Sequence, residues 1–371
     1  MKLSVRRLRR LRRMRRLHQA GDPYPVLIGE NLVDGVGALM KRLWGKRRVA
    51  IVTQAVVERL HGDRLYQSLD RAGIPRTTLK MAAGENHKNL DTVNRLYEQL
   101  LRAGFSRDDA VLAFGGGTVG DTAGFVAATF LRGVLYAQIP TTLLAQIDSS
   151  IGAKVGVNHP RGKNLIGAMY RPRAVWIDPS FLESLPKREL RSGLFELIKY
   201  GFIGVPRLLR RVEQEPLDVG TESLLRSIGD GVRRKLEVVR QDEGEHGLRR
   251  ILNFGHTIGH GLEAASDYKL LRHGEAIGWG MVGAVRLGER RGSIDAQLAS
   301  RLENAIGRIG PLPPIAKLDK ARVLAAVNKD KKRSRAGLRF ILPVGFGRVE
   351  TVERFPESEI AWALASLGIE H

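Results

Sequence analysis

A chain of 371 residues exceeds what one hydrophobic core usually holds and predicts two domains, with 43% hydrophobic residues to fill them. The absence of cysteine excludes disulfides, thiolate metal ligands and a cysteine nucleophile, so any metal must sit on His, Asp or Glu. The net charge of +22 suggests a nucleic-acid binder, but residues 1–19 alone carry nine Lys or Arg and no acid; the remaining +13 is spread thinly, as in a protein that handles anionic substrates.

The opening "MKLSVRRLRRLRRMRRLHQ" lacks the apolar core of a secretory signal, and residues 1–20 are expected to form a disordered basic arm. A start at Met14, a transit peptide or an RNA-binding arm are the alternatives. No apolar run approaches the ~18 residues of a membrane span, which points to a soluble, cytoplasmic globular protein with no membrane partner. Residues 20–371 show no basic patch interleaved with aromatics, so no specific nucleic-acid partner is expected.

Along the chain, "YPVLIG" (24–29) and "RVAIVT" (48–53) read as strands, 55–72 as a helix, "TTLKMAAG" as strand and loop, and 89–103 as an amphipathic helix. "DAVLAFGGG" is a buried strand ending in glycines, and "LYAQIPTT" and "AVWIDPSFL" are further strands. Strands alternating with helices of this length predict a parallel α/β sheet over 21–185. Beyond a boundary near 183–188, helical patterns dominate (188–214, 221–244, 255–265, 275–291, 295–308), with strand signal returning at "LRFILPV". Residues 186–371 are therefore expected to be a mostly helical domain.

Gly115-x-Gly117-x-x-Gly120 follows a buried strand and opens a helix, where backbone amides can cradle a phosphate. A tight structural turn is the alternative, and Asp121 could cap the helix or meet a cofactor. "QIPTTLLAQIDSSIGAKVGVNHPRGKNLIG" places Asp148, Lys154, Lys163 and Asn164 in a turn-rich segment suited to an anion site. "SGLFELIKYG" sets Glu196 and Lys199 at i, i+3 among Leu194, Phe195, Leu197 and Ile198, so both charges look partly buried and in need of a partner or a metal. "NFGHTIGH" sets His256 and His260 at i, i+4 on one helical face, and "RHGEAIGWGM" offers His273 at a loop-to-helix junction. Glutamate plus two histidines is an open zinc set that leaves a position for substrate.

With "GENHK" (84–88), "GGGTVGD" (115–121), "IPTTLLAQIDSSIGAK" (139–154), "NHPRGKNLIGA" (158–168), "LPKRELRSGLFELIKYG" (185–201), "LNFGHTIGH" (252–260), "HGEA" (273–276) and "DKK" (330–332) in this order, the sequence resembles 3-dehydroquinate synthases from about residue 24 onward. The resemblance implies a Rossmann-like NAD-binding α/β domain followed by a helical metal-binding domain. It implies conversion of 3-deoxy-D-arabino-heptulosonate 7-phosphate to 3-dehydroquinate and phosphate, with NAD and zinc (or cobalt) as cofactors. By resemblance, Glu196, His256 and His273 are the metal ligands, and His260, which spacing alone pairs with His256, belongs to the substrate. Glu85, Lys88, Gly117, Thr118, Val119, Gly120, Asp121, Thr141, Thr142, Lys154, Lys163, Phe181 and Ser184 are implied to hold NAD. Asp148, Lys154, Asn164, Lys199, Lys235, Arg249, Asn253, His260 and Lys331 are implied to line the substrate site, with Arg132 reaching a phosphate across a homodimer interface.

The chain departs from the family at Gln54, where a short Asn or Asp near the adenosine ribose is usual, at Ala153 within "GAK" and at Phe195. Other sugar-phosphate cyclases, making an inosose or a valiolone, share the expected fold and cofactors. Arg249 favours the carboxylate-bearing substrate over theirs. A related polyol dehydrogenase would release NADH, and the Lys/Asn segments speak against it.

Overall fold

The computed structural model describes residues 15–16, 24–244, 247–333 and 337–370, with side chains throughout except at 15–16 and 329–333. The chain forms two compact units that divide between Leu185 and Pro186.

In the first unit the strands are β1 (Arg15–Arg16), β2 (Val26–Ile28), β3 (Val49–Thr53), β4 (Arg76–Lys80), β5 (Ala110–Gly115), β6 (Leu135–Pro140), β7 (Lys154–His159), β8 (Gly162–Met169) and β9 (Val175–Ile177). Seven of them form one sheet in the order β1-β2-β9-β6-β5-β3-β4, parallel apart from β1. Every residue of β3 and β5 is buried. That is the mark of strands covered on both faces, and it is why they read as unbroken apolar runs. One face packs Val52, Val111, Tyr136 and Val155 with α3 (Leu90–Arg102) and α4 (Gly117–Thr129). The other packs Ile51, Leu112, Ile139 and Trp176 with α1 (Val36–Trp44) and α2 (Asp63–Ala72).

The strand order reverses between β3 and β5: β4 lies outside β3, and β6 lies on the far side of β5. In open α/β sheets this reversal is where ligands bind, beyond the carboxyl ends of the strands. The glycine turn of "GGGTVGD" sits at the end of β5 and opens α4. Gly120 lets that helix close onto the sheet, since a Cβ there would lie 2.5 Å from Gln138 Oε1 of β6.

Two expectations are corrected in this unit. The segment read as turn-rich, 138–167, gives way from Lys154 onward to an antiparallel hairpin, β7–β8, in which Val155 pairs with Ala168 and Val157 with Ile166. Buried Val155 and Val157 anchor it to the core shared with α4, whereas its Gly, Asn and Lys residues carry little strand propensity of their own. The basic arm is not wholly without structure: Arg15 and Arg16 pair with Ile28 and Leu27 at the sheet edge. Edge pairing uses backbone groups that composition does not reveal. The rest of the arm lies outside the described residues.

The second unit contains α5 (Lys187–Phe202), α6 (Pro206–Gln214), α7 (Glu222–Gln241), α8 (His256–Ala265), α9 (His273–Arg290), α10 (Ala296–Gly307), α11 (Lys320–Arg333), a hairpin of β10 (Phe340–Gly345) and β11 (Arg348–Val352), and α12 (Glu357–Ser366). The single helical pattern read over 188–214 breaks into α5 and α6, because Gly204 turns at φ 122° and Pro206 starts a new helix. Among the described residues, no helix is long and apolar enough to cross a membrane.

Asp230 of α7 ties this unit together. Its buried carboxylate accepts Arg207 Nε at 3.0 Å and Arg211 Nη2 at 3.3 Å from α6, and Arg233 Nη2 at 2.6 Å from its own helix. Burial pushes its pKa up, but the bonds from Arg207 and Arg233 outweigh burial and hold it below the usual value. A depressed folded pKa contributes stability that is present above the unfolded pKa, about 3.9, and is lost as pH falls through the folded value. Asp230→Asn should therefore lower stability by about 2 kcal/mol at pH 7. Urea titrations should show the gap to the wild type closing below about pH 4; a gap independent of pH would mean that the charge contributes nothing.

Candidate metal centre and nucleotide-binding edge

Three helices of the second unit meet backbone to backbone. A Cβ on Gly274, at the start of α9, would lie 1.8 Å from the Ser192 carbonyl oxygen of α5. A Cβ on Gly280 would lie 1.9 Å from the carbonyl oxygen of Gly255, the residue that precedes α8. These contacts bring His256 and His273, each the first residue of its helix, to Glu196 on α5.

The resulting geometry is that of a metal site. His256 Nε2 lies 3.6 Å and His273 Nε2 3.5 Å from Glu196 Oε1. A tetrahedral ion with bonds of about 2.0–2.1 Å separates its ligands by about 3.3 Å, so the three atoms need close only slightly around one. Glu196 Oε1 is buried and has no hydrogen-bond partner among the described residues, an orphaned acceptor that a cation would satisfy. The other ring nitrogens are already engaged: His256 Nδ1 is 3.1 Å from the Phe254 carbonyl oxygen, and His273 Nδ1 is 3.2 Å from Glu263 Oε2. With Nδ1–H donated outward, each Nε2 presents its lone pair, as metal-bound imidazoles do.

The surroundings set the charge. Burial, reinforced by Lys199, holds His256 well below the usual imidazole range and so neutral. Burial is the largest influence on His273 and opposes its charge, but the bond to Glu263 together with the charges of Glu263 and Glu196 outweighs it and the pKa is raised. Glu196 and Lys199 are fully buried, joined by a 2.6 Å bond from Lys199 Nζ to Glu196 Oε2. That bond leaves Oε1 for the cation.

A second cluster, His260, Glu263 and His273, also brings its ligand atoms within 4.8 Å of one another. There, however, His260 is exposed and Glu263 already serves His273. The i, i+4 pairing of His256 with His260 thus gives way to a set drawn from three helices, although the two rings stay neighbours at 5.2 Å. Lys235 and Arg249 are buried, and Arg249 Nη1 donates to the Glu243 carbonyl at 2.6 Å. Asn253 is exposed, next to the Phe254 carbonyl that serves His256. Lys331 belongs to α11 by its backbone, and its side chain lies outside the described residues.

In the first unit, a polar cluster lines the carboxyl end of the sheet. Buried Lys88 donates at 2.5 Å to both Asp121 Oδ2 and Asn164 Oδ1. Asp121 therefore answers Lys88 and does not cap α4, whose cap is Gly116. Glu85 accepts from Thr118 Oγ1 at 3.1 Å and from Asn158 Nδ2 at 2.8 Å. Gly117, Val119 and Gly120 form the first turn of α4, and Thr141 N donates to the Gly115 carbonyl at 3.0 Å. Thr142 Oγ1 accepts from Ala145 N at 3.2 Å, at the head of the π-turn that carries Asp148. Lys154 opens β7, and Lys163 and Asn164 lie on β8, the latter at φ 54°. Phe181 is buried against Phe114 and His61, and Ser184 Oγ lies 2.8 Å from His61 Nε2. Exposed Arg132 lies on the link from α4 to β6, at φ 68°.

Sequence reasoning did not single out Glu263 and Asn158. Glu263 stands three residues after His260 on the same helix, a spacing that offered a signal. Asn158 lies in the segment taken as turns, and its role follows from the hairpin.

A glycine turn at the switch point of a parallel sheet, joined in one chain to a helical unit carrying a Glu–His–His set, defines a two-domain, metal- and nucleotide-dependent enzyme. The N-terminal family model of 3-dehydroquinate synthase matches residues 78–192, and the C-terminal one matches 193–333. The chain belongs to the 3-dehydroquinate synthase family. It is 40% identical to the 3-dehydroquinate synthase of Crocosphaera subtropica over 351 residues, 93% of this chain and 96% of that one. Among solved structures it is similar to 2-epi-5-epi-valiolone synthase of Streptomyces hygroscopicus subsp. jinggangensis, with NAD+ and Zn2+ bound (TM-score 0.86, 29% identity, 95% of this chain and 99% of that chain). It is also similar to 2-deoxy-scyllo-inosose synthase complexed with carbaglucose-6-phosphate, NAD+ and Co2+ (TM-score 0.83, 26% identity, the same coverage).

Proposed function

We propose that the chain is an NAD- and divalent-metal-dependent lyase that converts 3-deoxy-D-arabino-heptulosonate 7-phosphate to 3-dehydroquinate and phosphate, the shikimate-pathway step toward aromatic amino acids. The observation that carries this reading is the 40% identity to a synthase of that name across nearly the whole chain, against 29% and 26% to the two other cyclases. Glu196, His256 and His273 hold the ion, zinc or cobalt, and Glu263 orients His273. The glycine turn at 115–120 holds the NAD pyrophosphate, while Glu85, Lys88, Asp121, Thr141, Thr142, Phe181 and Ser184 support the rest of the nucleotide.

When bound, the metal supplies polarisation of a substrate hydroxyl, and NAD supplies a hydride acceptor that is regenerated within the same turnover. The chain's own groups bind and orient. Lys154, Lys199, Lys235, Arg249 and Lys331 are the cations for a substrate bearing both carboxylate and phosphate, and Asp148, Asn164 and Asn253 position its hydroxyls. Exposed His260, beside the metal set, accepts or donates a proton.

We also propose a homodimer working in the cytoplasm. Its support is an exposed apolar set, Leu131, Leu165 and Met169, on the α4–β6 link and the β8 strand. Arg132 follows Leu131 with a backbone in the left-handed region, a conformation that a non-glycine residue keeps when something holds it there.

The test is incubation with the heptulosonate phosphate, NAD and zinc, following phosphate and dehydroquinate. Product should form with no proportional rise in NADH absorbance. Stoichiometric NADH release would move the protein to the dehydrogenase reading, and turnover confined to carboxylate-free sugar phosphates would move it to the other cyclases.

A further inference from the structure

In the first unit, groups given to the nucleotide and groups given to the sugar phosphate meet at a residue that belongs to neither set, Asn158. It stands where the β7–β8 ladder breaks. Val157 pairs with Ile166 and His159 with Gly162, so Asn158 alone faces Lys163, Asn164 and Leu165. Such irregularities re-aim side chains and are over-represented beside active sites. Inside this one, the Asn158 side chain takes the place of a main-chain partner, its Oδ1 accepting from Asn164 N at 2.9 Å. Asn164 has φ 54°, in the left-handed region, which asparagine enters more readily than most residues.

The other end of the same amide faces the nucleotide groups. Asn158 Nδ2 donates to Glu85 Oε1 at 2.8 Å, and the Asn158 main-chain N donates to the Lys88 carbonyl at 2.8 Å. Thr118 Oγ1 holds the second oxygen of Glu85 at 3.1 Å. Only one orientation of the amide serves both neighbours: its oxygen toward the N–H of Asn164, its NH2 toward the carboxylate. A flip would set acceptor against acceptor and donor against donor. One side chain thus fixes Glu85 and Asn164 relative to each other.

We propose that Asn158 is a positioning residue for both ligands of the reaction, aiming the Glu85 carboxylate at the nucleotide and Asn164 at the sugar phosphate. This inference rests on the proposed function, which gives Glu85 to the nucleotide and Asn164 to the substrate. Asn158 acts through these two groups, and its loss releases both at once.

Two constants of the metal-loaded enzyme test it: the Kd of NAD+ by calorimetry, and the KM of the heptulosonate phosphate at saturating NAD+ by phosphate release. Asn158→Ala should raise each roughly tenfold, the effect of one lost hydrogen bond to a charged or oriented group. Asn158→Asp keeps the acceptor for Asn164 N but sets a carboxylate against Glu85. It should weaken NAD+ roughly tenfold and raise the KM less than about threefold. Glu85→Ala should move the NAD+ constant alone. A residue that merely staples the hairpin would give the opposite pattern, a lower urea midpoint in Asn158→Ala with both constants unchanged. That result overturns the inference, as does an alanine variant that moves only one constant or an aspartate variant that moves both alike. A wild type that binds no NAD+, or that does not turn over the heptulosonate phosphate, overturns the proposed function and this inference with it.

Discussion

His273→Ala should strip the protein of its divalent metal and of turnover together, whereas His260→Ala should leave the metal in place. The expectation rests on three atoms: His256 Nε2 and His273 Nε2 converge within 3.6 Å on Glu196 Oε1, an acceptor left without a hydrogen bond among the described residues. Removing one of three protein ligands leaves an open site that cannot retain the ion. Loss of its polarising effect costs several kcal/mol of transition-state stabilisation, a rate loss on the order of a thousandfold or more. Glu263→Gln, which spares the ligands and removes the carboxylate behind His273, should weaken metal binding by roughly ten- to a hundredfold. Metal content by elemental analysis, read beside the dehydroquinate assay, separates the cases. Full metal in His273→Ala with loss in His260→Ala would assign the ion to the i, i+4 pair.

Lys199→Met should be the most damaging substitution for the metal-free protein and much less so for the loaded one. Lys199 and Glu196 are both fully buried and joined at 2.6 Å. Removing one partner of such a pair costs about 3–5 kcal/mol, because the other charge is left uncompensated in the interior. A bound divalent cation takes over the neutralisation of Glu196 and adds its own linkage stabilisation, about 2.7 kcal/mol at a hundredfold excess over Kd. Urea unfolding with chelator and with saturating zinc measures both states. Equal losses in the two would show that Lys199 acts by packing alone.

The parallel sheet could be read from the sequence because its central strands are buried on both faces, so that "VAIVT" and "AVLAFG" carry their own signal. The β7–β8 hairpin could not, because its pairing is fixed by Val155 and Val157 packing beneath α4 and not by the glycines, asparagines and lysines that fill it. The same contrast holds at the metal site. Two histidines four residues apart are visible in any helical projection, but the partner that completes the set comes from a helix that packs on α8 through glycines such as Gly255, Gly259 and Gly280. Local spacing reports one helix face; which helices touch is a property of the folded unit. The buried state of Glu196 and Lys199 was foreshadowed by their apolar neighbours, Leu194, Phe195, Leu197 and Ile198, which are buried as well.

The glycines at these helix contacts also bear on how the protein could be engineered for heat resistance. Helical glycines are the usual first choice for replacement, since each costs about 0.8–1.0 kcal/mol against alanine in an open helix. At Gly274 and Gly280 that reasoning inverts, because a single methyl group would meet a main-chain oxygen at 1.8 and 1.9 Å, and main chain cannot turn aside as a side chain can. Stabilising substitutions belong instead at glycines such as Gly307 of α10, where an added Cβ meets nothing within 4 Å and φ stays outside the left-handed region.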